Sequence, residues 1–109
     1  MTPRSFLGEL EEMVLLAALR LGDDAYGAAI LRALEGEAGR DVSRGSVYVA
    51  IDRLEAKGLA ETYAGAATPG RRGRPRRMLR VTEAGLDALR RSHEIRSRLL
   101  EGIEEALRA

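Results

Sequence analysis

The chain has 109 residues, of which 45% are apolar and 32% charged, with 18 basic and 17 acidic side chains and a net charge of +1. That is one small domain with a modest core, and the composition excludes a disordered chain. No cysteine is present, which excludes a disulfide scaffold or thiolate metal site, and the longest apolar run, Met13 to Leu19, is seven residues, far short of a membrane span. No basic segment followed by an apolar core opens the chain, so no secretory signal is expected and the cytoplasm is the expected location.

The first helix is predicted over Glu9 to Leu21. Leu10, Met13, Val14, Ala17 and Leu21 share one face, whereas Leu15, Leu16 and Leu19 fall on others. A helix apolar nearly all round is covered on more than one side. In so small a domain the cover is expected from a second subunit, which makes Leu15, Leu16 and Leu19 dimerisation candidates. Glu11 and Glu12 read as ordinary surface acids. Gly22-Asp23-Asp24 ends this helix and starts the next. The second helix is predicted over Ala25 to Glu37, with Tyr26, Ile30, Leu31 and Leu34 inward. The third is predicted over Arg44 to Lys57, with Ser43 as its N-cap and Gly58 as its stop. Val47, Ile51 and Leu54 form its core stripe. The opposite face carries Gly45, Ser46, Val49, Asp52 and Arg53. Short side chains with one long base let a helix approach a DNA groove closely. Tyr48 lies on the flank.

Two short strands, Leu59 to Ala64 and Met78 to Val81, flank a stretch in which Arg71, Arg72, Arg74, Arg76, Arg77 and Arg80 fall within ten residues. No acid lies between Glu61 and Glu83. Pro69, Gly70, Gly73 and Pro75 favour a turn or an extended path. The result is a hairpin with a very basic tip, suited to a polyanion such as DNA. Residues 1–41 hold four basic and eight acidic side chains, residues 42–82 nine and three, and residues 83–109 five and six. The middle third therefore supplies the working face. Arginine accounts for all basic residues except Lys57. It suits bidentate phosphate and guanine contacts, but coding bias gives the same preference, so position carries the reading.

Thr82 is the predicted cap of a last helix running from Glu83 to about Leu107, ~24 residues and about 36 Å long. Leu86, Leu89, Leu100, Ile103 and Leu107 match a heptad, with His93 and Arg96 at intervening seam positions. A second stripe of Ile95, Leu99 and Ile103 overlaps it. The first part is expected to pack on its own domain and the second on a partner. Ile95, Leu99, Leu100, Ile103 and Leu107 join the dimerisation candidates. The alternative is one intramolecular stripe with two solvated interruptions. The expected fold class is mainly α with a small β-hairpin: a winged helix-turn-helix over residues 1–82 plus a long C-terminal dimerisation helix over 83–109, in one compact unit. The second helix of such a pair lies in the major groove.

Val42-Ser43-Arg44-Gly45-Ser46-Val47-Tyr48 resembles the start of the recognition helix in PadR-like transcriptional regulators. Ile51-Asp52-Arg53-Leu54-Glu55-Ala56-Lys57-Gly58-Leu59 is similar to that family's RLEEEGL helix end. Asp24-Ala25-Tyr26-Gly27 resembles its HGYE opening of helix two, and Arg80-Val81-Thr82-Glu83-Ala84-Gly85 its RLTEAG wing exit. The resemblance covers about residues 8–90. It implies a homodimeric winged-helix regulator, usually a repressor, dimerised by its C-terminal helix; the single short helix resembles the smaller subgroup. Met78 and Leu79 stand where the family often has aromatics, and tryptophan is absent. Both departures weaken the case for the aromatic-stacking drug pocket of some relatives.

The DNA-binding candidates on the third helix are Ser43, Arg44, Ser46, Tyr48, Val49 and Arg53; those on the wing are Arg71, Arg72, Arg74, Arg76 and Arg77. First-turn amides and serine hydroxyls can hold phosphate at a helix N-terminus. Tyr48 is either a phosphate donor or a core-edge ring with a wet hydroxyl. Arg53 reaches a phosphate or a guanine edge, or else pairs with a nearby acid. Arg72-Gly73-Arg74-Pro75 is similar to the core of AT-hook segments, which enter a narrow A·T minor groove; general phosphate contact is the alternative. Catalysis lacks an inventory: His93 is alone, no P-loop is present, and no metal-ligand spacing occurs. No cofactor is expected. The combined expectation is a dimeric, sequence-specific DNA-binding transcriptional regulator, a repressor. It would bind double-stranded DNA at a near-palindromic operator, with no membrane partner. A small-molecule effector could act by changing the spacing of the two heads. The alternatives are a winged-helix module whose basic wing meets an acidic protein, and an architectural DNA binder without operator preference.

Overall fold

The computed structural model describes residues 7–37, 39, 41–67 and 75–108. Helix α1 spans Glu9–Leu21. Its first turn carries Glu9, Glu11 and Glu12, which suit the positive end of the helix dipole, and the Gly8 N–H donates to Glu11 Oε2 at 3.3 Å. Gly22, at φ 57°, ends α1 and leads into a 3₁₀ turn over Gly22–Asp24.

Helix α2 spans Gly27–Gly36, starting two residues later than the apolar spacing predicts. Tyr26 is extended and bridges Met78, and the Leu79 N–H donates to the Ala25 carbonyl at 2.8 Å. The segment before α2 thus satisfies backbone groups along the hairpin edge, a competing use that periodicity does not reveal.

Helix α3 spans Arg44–Ala56. Ser43 Oγ accepts from the Ser46 N–H at 3.1 Å. The far end is a Schellman closure around Gly58 at φ 75°: Leu59 N–H bonds to the Leu54 carbonyl at 2.9 Å and Gly58 N–H to the Glu55 carbonyl at 3.0 Å. Strands β1 (Ala60–Ala67) and β2 (Pro75–Val81) pair antiparallel, with Ala60 opposite Val81 and Ala64 opposite Arg77. Both run further toward the tip than predicted, because pairing resumes between Ala67 and Pro75 beyond a register shift after Ala64.

Thr82 joins the wing exit to α4 (Glu83–Leu100). Its hydroxyl donates to the Gly58 carbonyl at 2.7 Å and accepts from the Gly85 N–H at 3.1 Å. Gly85 allows the close approach: a Cβ there would stand 2.1 Å from the Leu59 carbonyl oxygen. The single helix expected to reach Leu107 is broken. Glu101 turns extended, Gly102 adopts φ 85°, and a short α5 follows over Glu104–Arg108. Only glycine enters that left-handed region freely, and the Gly102 N–H is held by Glu104 Oε2 at 3.0 Å.

The core joins all the longer elements: Val14 and Leu15 of α1, Ile30 and Leu34 of α2, Val47, Ile51 and Leu54 of α3, then Leu59, Leu79 and Ala88. Each large side chain so buried contributes on the order of 1.5–3 kcal/mol. Leu15 belongs here, fully buried. Leu15, expected at the dimer interface, is therefore not available to a second copy, because the domain's own core already covers it. Leu16 and Leu19 stay exposed, at 47% and 46%.

Glu11 and Glu12 are not surface acids; only 8% and 7% of each is exposed. Glu11 Oε1 accepts from Lys57 Nζ at 2.6 Å. Glu12 accepts from Arg96 at 2.8 and 2.9 Å and from the Ser92 hydroxyl at 3.1 Å. Buried carboxylates persist when paired in this way, and partners 46 and 84 residues away leave no local signature.

Candidate nucleic-acid interface

The N-cap that starts α3 also orients its first polar side chains. Ser43 Oγ donates to Ser46 Oγ at 2.8 Å while accepting the Ser46 N–H. The Ser46 hydroxyl, having accepted one bond, still has its proton to give, which suits a phosphate or base acceptor. One turn on, Val49 is 48% exposed, and Arg53 follows after another turn. A groove of about 660 Å³ runs along this face, between Ser43, Gly45, Ser46, Val49 and Arg53 on one side and Gly8, Glu9, Leu10 and Glu11 at the start of α1 on the other. Among the described residues a Cβ on Gly45 would find only Ser43 Oγ, 4.0 Å away, so none of them covers α3 on that side.

Tyr48 lies at the edge of the core, 36% exposed. Its ring covers Gly27, where a Cβ would fall 2.7–2.8 Å from the ring atoms and hydroxyl. It sets how α3 sits on the start of α2 while its edge stays wet. Arg44 is exposed at the first position of α3, without a polar partner among the described residues.

The wing arginines divide. Arg71, Arg72 and Arg74 lie outside the described residues. Arg77 is drawn back onto α3: its guanidinium meets Asp52 at 2.9 Å and Glu55 at 3.3 Å. Arg76 stacks over the Tyr26 ring at 4.3 Å, and its Nε is buried without a partner among the described residues. Tyr26 also accepts from Arg32 at 2.9 Å. Arg80 pairs with Glu61 at 3.1 Å and lies over Tyr63 at 5.1 Å. Both Arg76 and Arg77, expected on DNA, therefore have contacts inside the fold, and Arg77 clamps wing to helix.

Glu55 completes that clamp. The Thr62 hydroxyl donates to it, the Thr62 N–H donates at 3.3 Å, and Arg77 lies beside it. The Thr62 hydroxyl is the largest cause holding the Glu55 carboxyl below its ordinary value of 4.5, partial desolvation opposes it, and the Thr62 N–H and Arg77 add to it. Asp52 and Glu55, three apart on one side of α3, were the signal for this contact; a basic strand facing an acidic i, i+3 pair is a recognisable match.

Ile95, Leu99 and Leu100 are exposed on α4, as are Ile103 and Leu107 beyond it; Leu99 reaches 71%. Leu16 and Leu19 follow Glu12 at helical spacing on α1, and Leu99 follows Arg96 one turn on in α4, on the other side of the Glu12 contact. Among the described residues no group of His, Cys, Asp or Glu could hold a metal ion. No described helix is long and apolar enough to cross a membrane.

A helix pair presenting α3, a two-stranded wing clamped to it and a trailing helix define a winged helix-turn-helix, a DNA-binding class. The transcriptional regulator PadR-like family model matches residues 15–91. The chain belongs to that family, whose proteins are transcription regulators and not enzymes. Solved structures share the fold. A PadR family regulator from Eggerthella lenta is 28% identical, with a TM-score of 0.67 over 91% of this chain and 86% of that one. A PadR-like regulator from Bacillus cereus is 21% identical, with a TM-score of 0.70 and 92% of each chain covered. One from Clostridium difficile is 22% identical, with a TM-score of 0.66 over 93% and 96%. No curated protein matches the sequence.

Proposed function

We propose that this regulator is a homodimeric repressor that binds a near-palindromic operator. Residues 1–82 act as the reading head, and residues 83–109 join it to a second copy. The observation that carries the reading is the exposed α3 face, where Ser46, Val49 and Arg53 line an open groove on the helix to which Arg77 clamps the wing. Ser43, Arg44 and Ser46 would meet the phosphates at the entry to the major groove, with Val49 and Arg53 deeper. The tip arginines Arg71, Arg72 and Arg74 would track the adjacent backbone or minor groove. Arg76 and Arg77 serve this face by holding the wing in place. Two such heads would engage half-sites about 34–36 Å apart. Leu16, Leu19, Ile95, Leu99, Leu100, Ile103 and Leu107 are the apolar side chains available for the second copy. A small molecule lodged between the copies would alter the spacing of the heads. The protein would work in the cytoplasm, where its DNA is.

The test is titration against the gene's own upstream DNA and a shuffled control at two salt concentrations. Salt-sensitive binding at least ~10³ tighter to the upstream DNA supports the reading. Equal affinity for both refutes sequence-specific regulation in favour of an architectural role, and no binding to either moves the function to an acidic protein partner.

A further inference from the structure

Resting on that DNA-binding reading, we infer that Val49 and Arg53 select the half-site: Val49 reads a thymine methyl and Arg53 a guanine edge within about two base-pair steps of it. Arg53 is set apart from its neighbours by what it lacks. Lys57 is taken by Glu11, Arg77 by Asp52 and Glu55, Arg80 by Glu61, and Arg76 lies on Tyr26. Arg53 has no ion pair, hydrogen bond or ring contact among the described residues, and it lines the open groove of α3. Arg44 is also unpaired but does not line that groove. The adjacent acid, Asp52, was expected on the same exposed face, but it is turned toward the wing, where Arg77 holds it at 2.9 Å. The wing clamp thereby keeps a carboxylate from competing for the guanidinium that faces outward.

Val49 supplies the second half of the argument. It is a branched apolar side chain, half exposed, between Ser46 and Arg53 on the same groove wall. Among base edges in the major groove only thymine offers a methyl, and only guanine offers two adjacent acceptors that fit a guanidinium fork. Four residues of helix advance about 6 Å, slightly under two steps of 3.4 Å. The short valine must sit close to its base, whereas the arginine can reach from the next turn. That difference in length matches a helix entering the groove by its N-terminal end.

The experiment is selection of binding sites from a random duplex library by the wild type, Arg53→Ala and Val49→Ala, with thermal unfolding of all three as a control. The wild type should enrich a half-site holding G and T within about two steps. Arg53→Ala should lose the preference at G alone. Its affinity for the selected site should fall roughly 5- to 150-fold, while affinity for shuffled DNA changes little. Replacing the selected thymine by deoxyuridine should weaken the wild type and leave Val49→Ala unaffected. An unchanged motif in both variants, or an equal loss on selected and shuffled DNA, overturns the assignment while leaving the regulator intact. Failure of the wild type to enrich any motif overturns both.

Discussion

Replacing Gly45 by alanine should raise stability and lower DNA affinity together. Gly45 lies in the first turn of α3, with helical backbone and no positive φ. Among the described residues the added methyl would meet nothing nearer than Ser43 Oγ at 4.0 Å, so it introduces no strain against them. An exposed helical glycine costs roughly 0.5–1 kcal/mol relative to alanine. Recovering that amount should raise the midpoint of thermal unfolding by about 2–6 °C in a domain of this size. Gly45 also stands between Ser43 and Ser46 on the groove that the proposed operator fills. A methyl there holds the helix start away from the sugar-phosphate wall. The expected loss is about tenfold, or ~1.4 kcal/mol, the scale of one good contact. Differential scanning fluorimetry and fluorescence anisotropy on one preparation give both numbers. A stabilised variant that binds DNA as tightly as the wild type would refute the placement of the α3 start against DNA. A destabilised variant would refute the open space around Gly45.

Glu55→Gln should flatten the acid side of the stability profile. The folded carboxyl is held below 4.5, so its contribution is fully present above the unfolded value and is lost as pH falls through the lower folded one. Urea midpoints measured between roughly pH 3 and pH 6 would show it; a slope identical to that of the wild type would remove Glu55 from the clamp. Leu99→Asp should leave the fold of each chain within about 0.5 kcal/mol, because the side chain is exposed. It should convert dimers to monomers in sedimentation velocity at micromolar concentration, and an unaltered dimer would place the interface elsewhere.

Most of the architecture was legible because α3 and the wing obey local rules. Ser43 caps, Gly58 closes, and Val47, Ile51 and Leu54 form a stripe at helical spacing. The basic hairpin was equally plain from its arginines, prolines and glycines. What escaped the reading was everything decided across the fold. Leu15 and Leu16 are adjacent and chemically identical, yet one is fully buried and the other faces solvent. Only the placement of the neighbouring elements decides between them. Glu11 and Glu12 have the same history, with partners at the C-cap of α3 and in α4 that no window of sequence contains. Tyr26 fits a helical stripe, but the unpaired edge of β2 draws it into a bridge. Arg76 and Arg77 fit a DNA-facing wing, and the ring and acids beside them claim both. Gly102 did signal a break, but apolar side chains on both sides of it masked the signal.

Those two acids also bear on how far apart the proposed reading heads stand. Glu11 holds Lys57, the residue that ends α3, and its neighbour Glu12 holds Ser92 and Arg96 of α4. Two adjacent residues of α1 thus fix the reading helix and the trailing helix against one another. If α4 carries the second copy, this link sets the distance between the two α3 helices. Glu12→Ala removes two hydrogen bonds and the ion pair with Arg96 that join α1 to α4, while leaving the groove of α3 untouched. The variant should keep its affinity for a single half-site. It should lose discrimination between operators that differ in spacing, where one inserted base pair separates the half-sites by ~3.4 Å and rotates them by about 35°. The wild type should reject the lengthened operator strongly and Glu12→Ala weakly. Equal rejection by both proteins would mean that the angle of α4 is set by apolar packing around Ala88 and Leu89, and that the buried acid contributes stability alone.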